Sequence, residues 1–311
     1  MLRIPSIRVG LVLAVAVVGC GSSTSSEIPN QLIGHELASP QVGDAAGEAP
    51  LEPKQRLGDV PQGQLAAGIQ DAPDWLGTRV LNTNPDGVVG PQQTPPELSD
   101  RRFTTVDTIP PPTATEFAAL VEPLSGAALD RSTWHEGCPV SVDELRYLQM
   151  TFWGFDNNPH TGEMIVHASV ADDIVGVFRH LFEARFPIEE MRIVTTADLD
   201  APPTGDGNNT ASFVCRAITG GSRFSEHAFG LAIDINPFHN PYEKGEVVLP
   251  ELSTDYLDRG RTLPGMIDEN IASDGGAGPN PVVEAFDAIG WGWGGRWNSL
   301  KDYQHFSQNN R

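Results

Sequence analysis

The chain has 311 residues, enough for one or two domains and for a core of stable size. It carries 41 acidic against 20 basic side chains, a net charge of -21 and a pI near 4.6. That balance excludes a nucleic-acid binder, which needs a basic face to meet phosphates, and fits solubility outside the cell better than a role with acidic substrates.

Met1 to Cys20 reads as a targeting segment. Arg3 and Arg8 form a basic start, and Val9 to Val18 is an apolar run too short to span a bilayer as a mature helix. The run ends in Val17-Val18-Gly19-Cys20, which resembles the lipobox of bacterial lipoproteins. On that resemblance residues 1–19 are removed as a signal peptide, and Cys20 becomes a lipid-carrying N-terminus that anchors without inserting. Residues 20–110 are rich in Pro, Gly, Ala, Ser and Gln, with few aromatics and no sustained periodicity. Such a stretch buries too little apolar surface to offset its ordering entropy, so it is expected as a largely disordered tether. Trp75 to Val80 and Arg101 to Thr105 are the parts of it able to lie along a folded domain. Pro110-Pro-Pro112 marks a stiff approach to that domain, expected over 111–311. There is no internal repeat.

With Cys20 set aside, Cys138 and Cys215 remain, and an exported chain with two cysteines predicts one disulfide between them. The poorer alternative is thiolate ligation of a metal, since neither cysteine sits in a ligand-spaced pair.

Folding is expected to begin between Thr115 and Trp134. Ser141-Val-Asp-Glu144 has the form of a capping box, with Leu145 and Leu148 following at helical spacing. Tyr147 to Phe155 turns strand-like, Asp156 to Gly162 is a turn cluster, and Met164 to His167 is a second strand. Ser169 precedes a helix in which Ile174, Phe178, Leu181 and Phe182 recur on one face, closed by Pro187. Met191 to Thr195 predicts another strand and Asp198 to Thr210 a polar loop. Pro281 to Ile289 predicts a short helix, with Pro at its start and Gly290 past its end. Together these elements predict an α+β domain.

The stretch that organises the chain is Ser225-Glu-His-Ala-Phe-Gly-Leu-Ala-Ile-Asp-Ile-Asn236. Leu231 to Ile235 reads as a buried strand on which Leu231, Ile233 and Ile235 share one face. Asp234 points the other way, beside the small Ala232 and Gly230. A carboxylate buried there costs several kcal/mol, on the order of an unpaired ion, unless a cation satisfies it. His227 lies a short bend upstream, and Lys301-Asp-Tyr-Gln-His-Phe306 offers one more donor. Three ligands with a fourth position open are the pattern of a hydrolytic zinc site.

His-x6-Asp followed far downstream by Asp-x2-His resembles the zinc peptidases of bacterial cell walls. These are the D-alanyl-D-alanine carboxypeptidases and L-alanyl-D-glutamate endopeptidases, including the vancomycin-resistance and phage endolysin types. Phe213-Val-Cys-Arg216, Asn236-Pro-Phe-His-Asn-Pro-Tyr242 and Gly290-Trp-Gly-Trp-Gly-Gly-Arg-Trp297 extend the likeness over roughly the C-terminal two-thirds. The resemblance implies an antiparallel sheet with flanking helices, the fold shared with the Hedgehog signalling domain. It also implies one zinc ion per chain, held by His227, Asp234 and His305.

In that family pattern Asp302 is the general base, taking a proton from the attacking water and passing it to the leaving amine. Arg216 holds the carbonyl oxygen as it gains charge, or a substrate carboxylate. Ser225 either helps position substrate or only stabilises the turn before His227. An aspartate at 302 matches the endopeptidase-like members more closely than the dipeptidase-like ones. Trp291, Trp293 and Trp297 are core positions more readily than a binding wall. His239 reads as a loop residue, and His135, His160, His167 and His180 fall outside the pattern. The expected partner is the peptidoglycan stem peptide, met by a monomer held to the membrane through its lipid alone. The rival expectation is a zinc-containing wall-binding module of the same fold without turnover. Against that module stands Asp302, a base that a pure ligand does not require.

Overall fold

The computed structural model describes residues 68–84, 89–218 and 221–311. The expected signal peptide, Cys20 and the expected tether up to residue 67 lie outside them. Among the described residues no helix is long and apolar enough to cross a membrane.

Among the described residues nine strands and four α-helices follow in chain order. Strand β1 (Ala119–Pro123) and helix α1 (Gly126–Arg131) precede β2 (Leu145–Trp153) and β3 (Pro159–His167). Helices α2 (Ala171–Glu183) and α3 (Thr196–Asp200) come next, then β4 (Ala232–Asp234), β5 (Tyr242–Lys244) and β6 (Val247–Leu249). Helix α4 (Pro281–Ala288) leads to β7 (Gly292–Trp293), β8 (Lys301–Asp302) and β9 (His305–Ser307). The strands make three antiparallel sheets, in the orders β1-β2-β3, β4-β9-β7 and β6-β5-β8. Mixed helix and antiparallel sheet is the architecture an α+β reading requires.

Helix α2 is amphipathic as expected: Ile174, Phe178, Leu181 and Phe182 are all buried on one side. It packs against β2 and α4, and its apolar face joins Leu148, Met150, Met164, Phe286 and Phe306 in the main core. Ile233 from β4 sits fully buried in the same cluster, so the strand carrying Asp234 is anchored from behind. Full burial of a side chain such as Ile233 contributes about 1.5–3 kcal/mol.

Several local expectations are corrected. The Ser141–Glu144 capping box forms, but it closes a single 3₁₀ turn over Val142–Glu144. Leu145 and Leu148 then belong to β2, where Leu145 pairs with His167 and Leu148 with Met164. Ladder pairing on both sides of β2 outweighs two leucines at helical spacing. The turn cluster ends sooner than expected, because β3 already begins at Pro159. Met191 to Thr195 is extended but joins no ladder. Its polar groups are met otherwise: the Met191 carbonyl accepts from Glu163 N, and the Asn209 side chain accepts from Arg192 N. The loop from Asp198 is preceded by a helical turn, α3, capped reciprocally by Thr195 and Asp198.

The expected domain start at 111 falls inside packed chain. Leu98 and Phe103 are buried with Phe238, Tyr256 and Met266 in a cluster that Trp75 and Leu81 partly cover. Arg101 donates from Nε and Nη2 to both carboxylate oxygens of Glu189, at 2.8 and 2.6 Å, and from Nη1 to the Asp206 carbonyl at 2.7 Å. Few aromatics suffice here, because a single buried ion pair and two anchors hold a stretch whose average composition reads as tether.

The disulfide is present between Cys138 and Cys215, whose Cα atoms are 5.8 Å apart. Cys215 is buried and its N–H donates to Thr133 Oγ1, fixing the segment that continues into Arg216.

Candidate active site

His227 sits in a 3₁₀ turn over Glu226–Phe229 that Ser225 caps, the Ser225 hydroxyl accepting from His227 N at 3.4 Å. Gly230 ends the turn with φ of 67°. A Cβ there would lie 2.6 Å from the His167 nitrogen, so both the left-handed backbone and the space require glycine. The chain then enters β4. Asp234 pairs directly opposite His305 of β9, and its own N–H and C=O exchange bonds with Ala211 on the other side. A ladder on each side fixes the backbone of the aspartate.

The three side chains converge. His227 Nε2 lies 3.2 Å from Asp234 Oδ2 and 3.3 Å from His305 Nδ1, and His305 Nδ1 lies 3.0 Å from Asp234 Oδ1. A tetrahedral ion with ligand bonds of about 2.0 Å has ligand atoms about 3.3 Å apart, so the spacing suits zinc-sized coordination. The outer nitrogens are also committed. His227 Nδ1 donates to the Ser212 carbonyl at 2.7 Å and His305 Nε2 to the Arg311 carbonyl at 2.9 Å. In the neutral tautomers with the proton on the far nitrogen, His227 Nε2 and His305 Nδ1 are the atoms that can ligate. The donor set therefore fits a metal. His135, Cys138 and Cys215 also lie close together, but the disulfide consumes both thiols.

The three side chains also perturb one another's titration. Burial alone would raise Asp234, but the charge of His227 and hydrogen bonds from both histidines hold it far below the usual carboxylate range. His305 goes the other way: burial would lower it, yet the Asp234 hydrogen bond and charge raise it to about 9.

Asp302 lies on β8, opposite Tyr242 of β5, and faces the same cleft. Burial, then the charge of Asp234, pushes its carboxyl up to about 7. Its Oδ1 is buried with no hydrogen-bond partner. An orphaned acceptor beside a ligand set is what a base waiting for a water or a leaving group looks like. Arg216, half-buried on the same cleft, donates from Nη1 to the Ala217 carbonyl and lies near enough to Asp302 to favour its charged form.

The cleft holds about 1010 Å³ and contains His227, Asp234, His305, Asp302, Arg216 and Ser225 together. These six expected residues are thus brought to one cleft. The tryptophans divide: Trp291 and Trp293 are core, whereas Trp297 lines the cleft and lies against His305, ring centroids 5.4 Å apart. His239 does lie in the turn between β4 and β5, but it is not exposed. It is fully buried, stacked on Phe155, and donates or accepts at both nitrogens with Arg101 O and Asn208. Burial lowers its pKa to about 4 and keeps it neutral. Sequence reasoning missed Tyr242, Gln304 and the Ser212 carbonyl. Only Tyr242 left a signal, at the end of the Asn-Pro-Phe-His-Asn-Pro-Tyr run.

Neither a curated protein nor a solved structure matches the chain. Residues 219–308, less than a third of the length, match the family model described as D-alanyl-D-alanine carboxypeptidase. That span holds His227, Asp234, Asp302 and His305, while Arg216 and both disulfide cysteines precede it.

Proposed function

We propose that the protein is a zinc-dependent peptidase of peptidoglycan stem peptides, cutting either L-Ala-D-Glu within the stem or D-Ala-D-Ala at its end. The observation that carries this reading is a buried carboxylate oxygen of Asp302, unpartnered, on the cleft that also holds the His227–Asp234–His305 cluster. The family match over 219–308 supports the same reaction class.

His227 Nε2, Asp234 and His305 Nδ1 would hold one zinc ion. When bound, it supplies a Lewis acid that polarises a carbonyl and acidifies water. Asp302 accepts the proton of the attacking water and later releases it to the leaving nitrogen, a role that needs a carboxyl titrating near neutrality. Arg216 offers a cation to the carbonyl oxygen or to a substrate carboxylate, help typically worth about 3 kcal/mol per donor. Ser225 caps the His227 turn and thereby positions a ligand. We place the enzyme outside the cell as a monomer tethered through lipid on Cys20.

A wall-binding module without turnover would need the ligand set but not Asp302. The test is to load the domain with zinc, digest purified sacculi and identify released fragments by mass spectrometry. Wild type should bind one zinc and release cut stem peptides. Asp302→Ala should keep the zinc and lose turnover. Digestion by Asp302→Ala at the wild-type rate refutes the base assignment, and absence of cutting by zinc-loaded wild type refutes the enzyme.

A further inference from the structure

Strands β5 and β6 form a hairpin that walls the cleft. Side chains alternate along a strand, so Tyr242 and Lys244 point to one face and Glu243 to the other. Their partners in the ladder are Leu249 and Val247, and all four line the cleft. The hairpin is also a ruler. Tyr242 pairs with Asp302, and Lys244 stands two residues farther along, about 7 Å at the rise of an antiparallel strand. Ala217 and Phe224 are joined by an isolated bridge, and beside it Ile218, Arg223 and Phe224 also line the cleft, Ile218 and Phe224 with exposed side chains.

The cleft walls carry cations of an otherwise acidic chain. With 41 acidic against 20 basic residues, cations are scarce, and Arg101, Arg131, Arg192 and Arg296 are all spent in pairs with Asp or Glu. Among the described residues Arg216, Arg223, Lys244 and Arg311 line this cleft and enter no such pair. The acids beyond the ligand cluster and Asp302 are Glu226 and Glu251. Glu251 is buried, and that burial raises its pKa towards the neutral form. A strongly acidic protein would repel an anionic peptide overall; these cations supply local attraction on the cleft where a peptide would lie.

We infer that Lys244, with Arg223 on the same cleft, forms a carboxylate-recognising subsite, taking a peptide that carries a free carboxylate about 7 Å, or two extended residues, from the bond at Asp302. Apolar side chains at Ile218, Phe224, Val247 and Leu249 bed the peptide backbone between the two cations. The inference deepens the peptidase reading by naming the charge its substrate must bear, and it rests on that reading for the occupant alone. Arg216, close to Asp302, serves the reacting end, whereas Lys244 sets which peptides are accepted.

Binding is measured by calorimetry in the zinc-loaded full chain, with Asp302→Ala present throughout so that nothing is cut. The probes are a synthetic stem pentapeptide and its counterparts with each carboxylate amidated in turn. Lys244→Gln, at an exposed position that the fold does not need, should weaken the parent peptide at least fivefold. For one amidated counterpart the two proteins should bind alike, because the group Lys244 reads is gone. Equal affinity of both proteins for the parent peptide overturns the subsite, as does a loss that persists for every amidated counterpart. If the zinc-loaded wild type cuts none of these peptides while the Lys244-dependent difference remains, the hydrolytic reading fails and the subsite stands.

Discussion

Removing the metal should leave a proton in its place, which makes zinc uptake steeply dependent on pH. His305 holds its proton to about pH 9 because Asp234 lies 3.0 Å from its Nδ1, the atom that must ligate. At pH 7 about one molecule in a hundred has that nitrogen free, so apparent zinc affinity is about 100-fold below its limit. Raising the pH from 6 to 8 should strengthen binding about 100-fold from His305 alone. Asp302, raised to about 7, is largely neutral at pH 6 and should release a second proton as the ion arrives, steepening the dependence there. The stability of the metal-free domain should run the opposite way. The folded value of His305 lies above the unfolded 6.5, so its contribution is complete below about pH 6.5 and is lost as the pH rises through about 9. That contribution amounts to about 3 kcal/mol, at about 1.4 kcal/mol for each pKa step. Competition against a chromophoric chelator across pH 6–9, with calorimetry in two buffers to count protons, reads both quantities. Zinc affinity that is flat over this range, or no proton release at pH 7, refutes the idea that Asp234 and His305 share a proton where the ion belongs.

Reducing Cys138–Cys215 opens a crosslink between residues 77 apart, which the chain-entropy relation values at about 4.5 kcal/mol. The Tm should fall by roughly 10 °C or more, while zinc content stays unchanged because no ligand moves with the thiols. Arg101→Met should cost about 3–5 kcal/mol by stranding the Glu189 carboxylate, and Glu189→Leu added to it should recover part of the loss, both read by denaturant unfolding. A destabilisation below 1 kcal/mol would mean that 89–110 adds nothing to the fold. Cys20→Ser should move the protein from the membrane to the soluble fraction with solution hydrolysis intact; continued sedimentation with membranes would remove the lipid anchor from the proposal.

The candidate site was legible because its ligands sit at fixed offsets around one bend and two strands. His227, Gly230 and Asp234 fall within one short stretch, and the family pattern carries them to Asp302 and His305 downstream. The disulfide followed from cysteine count and compartment. What composition could not show was tertiary in origin. Segment 89–110 has few apolar residues, yet Arg101 finds Glu189 across 88 positions, a pairing no window of sequence contains. Met191 to Thr195 has the residues of a strand, but the Asn209 side chain occupies the edge a ladder would use. Leu145 was drawn toward helix by its cap, and only its pairing with His167 decides for strand. The cleft walls stayed hidden because a hairpin of two three-residue strands has almost no periodicity to read.

The direct pairing of Asp234 with His305 also has a bearing on how the chain checks itself while folding. Two ligands opposite one another in an antiparallel ladder share a face only in the correct register, since a slip of one residue turns one of them away. Strands β4 and β9 are three residues each, too short for their apolar pattern alone to reject a neighbouring alignment strongly. A cation captured by both side chains is gained in one alignment and forfeited in every other. The ion would thereby act as a proofreader, favouring the one arrangement of these strands in which the protein can work.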